Sequence, residues 1–283
     1  VPVVSWAPLL FVLLWSSGFI GARLGLPHAE PLSFLTVRYL LVLALLLPLA
    51  LAMRAPWPRD PRQWLHIGIG GLLLHGLYLG GVFLAISHGL PAGVTALVVG
   101  MQPLLTAFAA ALLLHETVVR RQWLGLALGF GGVALVVLGK VGSGWQVDAL
   151  WPALMALLAI TAGTLYQKRF CPRFDLRTGA VLQFLPTAAV TGLVAAGTES
   201  FRIEWTGEFA FALGWLVLVL SLGAIALLNT LIRSGSAVNV ASLFYLVPPT
   251  TAVLAWLMFG ETLSPTMLLG MALAGGGVYL SRG

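Results

Sequence analysis

Residues 31–53 read PLSFLTVRYLLVLALLLPLALAM, and Arg38 is the single charged side chain among them. A helix needs about 20 mostly apolar residues to cross a hydrocarbon layer of about 30 Å. The run from Leu40 to Leu47 shows none of the alternation on a period of two that a spanning β-strand requires. The stretch is a membrane-crossing helix, and it sets the class of the chain.

Working outward, blocks of the same kind recur. Spans are expected near Trp6–Leu24, Pro31–Met53, Gln63–Ser87, Gly93–Leu114 and Gln122–Leu138. Five more follow near Leu150–Gln167, Thr178–Ala196, Phe209–Ile232, Val238–Phe259 and Ser264–Ser281. The expected fold class is thus an all-α membrane protein of ten transmembrane helices. Composition agrees: 59% of the 283 residues are hydrophobic and 8% are charged, with a mean hydropathy of +0.99. A soluble domain carries roughly 25% charged residues to face water, so most of this surface faces lipid.

The connections around 54–62, 139–149, 168–177 and 197–208 are too short for a soluble domain. No phosphate-cradling loop is present, so an ATP-driven pump would need another subunit. Cys171 has no intramolecular disulfide partner, since it is the single cysteine. The first span lacks a cleavage-site pattern and is expected to be retained. The isoelectric point near 10.1 would point to nucleic acid in a soluble protein; here basic residues mark the cytoplasmic side instead. With the N-terminus inside, that side carries Arg54, Arg59, Arg62, Arg120, Arg121, Lys168, Arg169, Arg173, Arg177, Arg233 and Arg282. The opposite side carries Arg23, Lys140 and Arg202. Both termini are expected in the cytoplasm, the chain being multi-pass in a plasma (inner) membrane.

The chain also repeats itself. Pro103 is followed thirteen residues later by Glu116-Thr117, and Pro248 by Glu261-Thr262 at the same distance. The offset of 145 residues, from 116 to 261, holds elsewhere: Trp6 falls on Trp151, Gly18 on Gly163 and Gly125 on Gly270. Gly131-Gly132-Val133 falls on Gly276-Gly277-Val278. Residues 1–139 and 146–283 are the expected halves. Five spans are an odd number, so the second half enters the membrane from the opposite face. Inverted repeats of this kind typify secondary transporters, with the solute between the halves near the midplane.

These motifs resemble the drug/metabolite transporter superfamily, EamA type, and within it the amino-acid and metabolite exporters. The resemblance rests on Trp15-Ser16-Ser17-Gly18-Phe19, on Pro31 followed by Arg38, on the twice-used proline and Glu-Thr spacing, and on the glycine-rich fifth and tenth spans. It covers the whole chain. It implies a 5+5 inverted-topology repeat, a central cavity lined mainly by spans 1, 3, 4, 6, 8 and 9, and alternating access. The second half departs from it, with Gln183 at the register of Arg38 and Tyr166 at that of Gly21.

Polar groups in hydrocarbon are costly unless paired or facing a wet cavity, so they are the candidates for a solute site. His75, Tyr78 and Val82 fall on one face of an α-helix; His75 and Tyr78 offer a ring nitrogen and a phenol, or else satisfy the bundle itself. Trp15, Ser16 and Phe19 combine aromatic faces with a hydroxyl, suited to an amphipathic solute or to plain packing. Gln102, Thr164, Tyr166, Asn229 and Tyr245 complete the expected lining. Pro103, Pro248 and Pro249 free the carbonyls of Val99, Phe244 and Tyr245, as gating hinges or static kinks. Gly125 with Gly129, and Gly270 with Ala274, are packing faces. Glu116 and Glu261 lie between spans, where a helix N-terminus favours a carboxylate, and are expected as caps or gate contacts.

Arg38, about two helical turns from the external end, snorkels, pairs with carbonyls or attracts a solute carboxylate; the resemblance implies a structural charge. No Asp or Glu lies mid-span, where coupled carriers place one, so an uncoupled facilitator or exchanger is expected. No nucleophile–base set or metal-ligand spacing supports an intramembrane enzyme, and no cofactor or metal is expected. A lipid or polyprenyl-carrier flippase is the alternative, disfavoured because Arg38 alone is basic within the spans. The expected partners are a small solute, amino acids above all including aromatic ones, and the bilayer; nucleic acid is not expected, and the chain is expected to be a monomer or weak dimer.

Overall fold

The structure is a computed structural model describing residues 6–106, 120–139, 147–171, 174–224, 227 and 244–281. Its helices are α1 (Ala7–Gly25), α2 (Pro31–Ala52), α3 (Pro61–Ser87), α4 (Ala92–Val99), α5 (Arg120–Gly139), α6 (Leu150–Phe170), α7 (Leu176–Thr198), α8 (Gly207–Ala224), α9 (Val247–Phe259) and α10 (Pro265–Ser281). Among the described residues no strand forms beyond one antiparallel bridge between Ala29 and Ile203. Six helices, α1, α2, α3, α6, α7 and α8, are long and apolar enough to cross a membrane. Shorter apolar helices run over Ala92–Thr106, Trp123–Leu135 and Val247–Phe259.

The helix starts follow local chemistry. Asp60 caps α3 by accepting from the Arg62 amide at 2.9 Å, and Asp175 caps α7 through the amide of Arg177 at 3.0 Å. Thr206 and Ser264 accept from the amides of Phe209 and Met267, each satisfying a donor the first turn leaves free. Helix α2 is capped from the other half of the chain: the Glu199 carboxylate takes the amides of Leu32 and Ser33 at 2.8 and 2.7 Å. Helix α9 ends at Gly260, whose φ of +65° is the left-handed conformation that glycine adopts without steric cost.

Along α2, Tyr39, Val42 and Leu46 are buried, whereas Leu40, Leu41 and Leu47 lie on the outer surface. An outer face of leucines suits lipid and not water. Inside, Phe34 of α2 meets Phe83 of α3 and Phe209 of α8, with ring centroids 5.2 and 4.9 Å apart.

The helix pairing follows the register of the sequence. Helix α1 packs on α8 and α9, as α6 packs on α3 and α4; α2 pairs with α7, α4 with α9 and α5 with α10. The last three pairs run antiparallel. A Cβ on Gly132 would meet Gly270 and Ala274, and one on Gly277 would meet Gly125 and Gly129, so positions rise along α5 as they fall along α10. Gly93 of α4 lies against Ala252 of α9, and Gly100 against Pro248. Ser33, near the start of α2, meets Glu199 just beyond the end of α7; Thr178, near the start of α7, donates to the Pro56 carbonyl beyond the end of α2.

The prolines of the fourth and ninth expected spans sit near helix starts. Helix α9 becomes regular at Val247 with proline in its first turn, preceded by a 3₁₀ turn over Phe244–Leu246; residues 228–243 lie outside the described set. In α4 the helix turns at Gly100 and Met101 and resumes at Gln102. Pro103 and Pro248 are thus the second residues of helical segments that follow a turn, where a missing amide is tolerated.

Candidate functional site

Two helices depart from α-geometry. Residues Leu72–Leu77 of α3 form a π-helical turn, and so do Trp215–Ala224 of α8; such turns recur at functional segments. The 145-residue register superposes them. His75 lies in the first and Ser221 in the second. Arg38 of α2 donates through Nη2 to Ser221 Oγ at 3.1 Å, and Gln183 of α7 faces His75 Nε2 through Oε1 at 3.4 Å. Arg38 and Gln183 share one register, so the second helix of each half sends one polar side chain to the π-turn of the opposite half.

Around His75 the contacts continue. Its ring stacks on Phe184 with centroids 4.4 Å apart, and its carbonyl accepts from Tyr39 Oη at 2.7 Å. Gln183 gives Nε2 to Gln167 Oε1 at 3.2 Å, leaving its oxygen for His75, so His75 Nε2 acts as the donor. The amide of Tyr78 bonds to Leu73 O, five residues back, so the α-helical face expected to align His75 with Tyr78 and Val82 is not kept. Tyr78 and Val82 are buried. Among the described residues, Tyr39, Tyr78 and His75 are titratable neighbours of Arg38. Arg38 itself is 6% exposed, its Nε has no hydrogen-bond partner, and none of the ion pairs among the described residues includes it. Burying a cation without a counter-ion is costly.

The first span is engaged with the second half. Ser16 donates to the Val247 carbonyl at 3.3 Å. Ser17 receives the Trp215 indole N–H at 2.8 Å and donates to Leu14 O at 2.6 Å. Trp15 packs edge-on against Phe244 at 5.3 Å, and Phe19 is buried in the core. Gln102, in the helical segment that resumes after the Gly100–Met101 turn, reaches Thr164 of α6 at 3.4 Å. Tyr166 pairs with His66 Nδ1 at 2.7 Å, with Phe170 stacked on the same imidazole. That contact lies one turn from the end of α6, away from the middle of the helix.

Glu261 accepts from the Ala92 amide at 3.3 Å, so its carboxylate meets the start of α4 and not the start of the following helix, which Ser264 caps. Pro248 and Pro249 border a crevice shared with Gly100, Met101 and Ala274. Glu116 and Asn229 lie outside the described residues, as does the side chain of Tyr245. Gly129 faces Met101 and Leu104, beyond the end of α4, while Gly125, Gly270 and Ala274 lie in the α5–α10 contact.

The EamA-like transporter family model matches this chain twice, over residues 2–138 and 149–283. The chain belongs to the EamA-like transporter family. It is a multi-pass membrane transporter and not an enzyme. An uncharacterized transporter of Bacillus subtilis, YvbV, is 30% identical over 93% of this EamA-like chain and 86% of its own length. A Salmonella typhimurium protein named a probable amino-acid metabolite efflux pump is 26% identical over 96% of this chain and 92% of its own. A probable terminal-alkyne amino-acid exporter of Streptantibioticus cattleyicolor is also 26% identical, over 97% and 92%. A solved crystal structure covers 98% of the chain and 96% of its own length at a TM-score of 0.67 and 22% identity, a likeness of fold.

Within this EamA-like chain, several contacts escaped the residue-by-residue reading. Gln167, His66, Ser221 and the Glu199 cap carry no local motif. Gln183 had a signal: it occupies the register of Arg38. The contacts of Arg38 with Ser221, of Tyr39 with His75 and of Gln183 with His75 join α2 and α7 to α3 and α8.

Proposed function

We propose that this chain is a secondary transporter that exports or equilibrates small organic metabolites, amino acids above all, by alternating access. The halves, residues 1–139 and 146–283, form a 5+5 inverted repeat of ten spans in this reading. The observation that supports it is the antiparallel pairing of α2 with α7 and of α5 with α10, each a pair of register-equivalent helices, with α4 also antiparallel to α9. Equivalent elements that run oppositely have inward-open and outward-open arrangements of similar energy. The relatives named as amino-acid exporters supply the solute class.

Both termini face the cytoplasm of the inner membrane in this proposal. The arginine bias alone supports that orientation; exposed aromatic residues mark the two interfaces without telling one from the other. Trp6, Trp64, Trp123 and Tyr279 are exposed at helix ends assigned to the cytoplasm, and Trp151, Trp205 and Trp256 at ends assigned to the outside, as interfacial belts require. His75, Tyr78, Trp15, Ser16, Phe19, Gln102, Thr164 and Tyr166 stand as lining residues or neighbours of the path. No mid-span carboxylate occurs in the sequence, so transport follows the solute gradient.

Purified protein in vesicles, screened with labelled amino acids, nucleosides and fluorescent lipids, tests the reading. Saturable amino-acid flux, reduced at least several-fold by Tyr78→Ala or Trp15→Ala and unchanged by an imposed proton gradient, is expected. Vesicles inert to solutes but scrambling lipid would overturn it.

A further inference from the structure

The guanidinium of Arg38 sits about 10 Å from the start of α2 at 1.5 Å per residue, buried, without a carboxylate partner among the described residues. Its only described hydrogen bond goes to a neutral hydroxyl, and Ser221 already spends its own proton on Leu216 O at 3.0 Å. Nε points into the interior with nothing to receive it. A strut that served only to tie helices together would have this donor met by a carbonyl. Nε and Nη2 form the side edge of the guanidinium fork, the edge that grips a carboxylate with two parallel bonds. Nη2 carries two hydrogens, and Ser221 uses one.

Resting on the transporter reading above, we propose that Arg38 is the carboxylate anchor for the solute, with Ser221 as a neutral placeholder on Nη2 when no solute is bound. The edge lies against the π-turn of α8, and Tyr78 of α3 shares its electrostatic surroundings. A solute carboxylate arriving between α3 and α8 takes Nε and Nη2 together, and neutralises a cation that has no counter-ion among the described residues. Arginine stays charged at every physiological pH, so the preference belongs to the ionised acid. The class of solute is set accordingly: a free carboxylate, as in an amino acid, in preference to its amide or to the decarboxylated amine.

The test uses the full chain in vesicles loaded with labelled phenylalanine and a panel of other amino acids, with phenylalaninamide and phenethylamine as competitors. Wild type should prefer acid over amide by about ten-fold or more. Arg38→Gln should lose that preference and raise the half-saturating phenylalanine concentration by a similar factor, with Arg38→Lys between the two. Ser221→Asp supplies an internal carboxylate to the same edge; it should fold at least as well as wild type yet lose acid recognition, which keeps the test decisive if Arg38→Gln fails to fold. Retention of the acid-over-amide preference in Arg38→Gln, or wild-type phenylalanine flux in Ser221→Asp, overturns the anchor alone. Wild-type vesicles that carry no carboxylate solute at all overturn the amino-acid reading together with it.

Discussion

Asp175 shows how one side chain at a helix start carries both structure and charge. It accepts from the amide of Arg177 and forms a two-point contact with that residue's guanidinium, Nη2 to Oδ2 at 2.8 Å and Nε to Oδ1 at 3.1 Å. The Arg177 guanidinium holds the Asp175 carboxyl below the usual carboxylate range, with the backbone amides adding to it. A group with a depressed folded value stabilises fully above its unfolded value of about 3.9 and loses that contribution as pH falls through the folded one. Asp175→Asn keeps a capping oxygen and removes the charge, so it should lower the thermal midpoint slightly at neutral pH, by roughly 1–2 °C for a screened pair at the surface. Midpoints of the two proteins should converge as pH falls through the depressed folded value; a gap that does not narrow in acid would refute the charge account. This cap was open to a reader of the sequence, since Asp before a helical run is a start signal. The Glu199 cap was not, because its partners, Leu32 and Ser33, are more than 160 residues away.

At the scale of helices, the α5–α10 pair depends on the absence of side chains at chosen positions. Backbone atoms of Gly270 and Ala274 lie where a Cβ of Gly132 would stand, whereas Gly131, its neighbour, has nothing within 4 Å. Gly132→Val must push the helices apart and should cost about 1–3 kcal/mol or more. Gly131→Ala should be neutral, or stabilise by up to about 1 kcal/mol through helix propensity. Unfolding of both variants in detergent separates them; equal stabilities would refute the close contact. The glycine pattern was legible in the repeat, as was the existence of each element, because hydropathy fixes where lipid meets the chain. The π-turns were not. An apolar run such as Leu72-Leu73-Leu74 satisfies an α-helix and a π-turn equally, and the choice rests on packing against the opposite half.

For the whole molecule, the decisive prediction is one of sidedness. Thr117→Cys and Thr262→Cys, each in a Cys171→Ser background, should label from opposite faces of the membrane with an impermeant thiol reagent. Cys171 is buried, and burial raises its thiol pKa, so it is a slow competitor even where it is kept. Labelling of both positions from one face would defeat the inverted arrangement. By itself the sequence determined the membrane class, the six long apolar spans and the internal register, because each follows from composition and spacing read along one dimension. It also put Arg38 in a span. Tertiary structure alone decided that Arg38 meets Ser221 with no counter-ion among the described residues, that Gln183 meets His75, and that Tyr166 turns to His66. Those partners lie 183, 108 and 100 residues apart. A polar side chain in hydrocarbon must find a partner, but its own neighbourhood in the chain does not say which; the packing of one half against the other does.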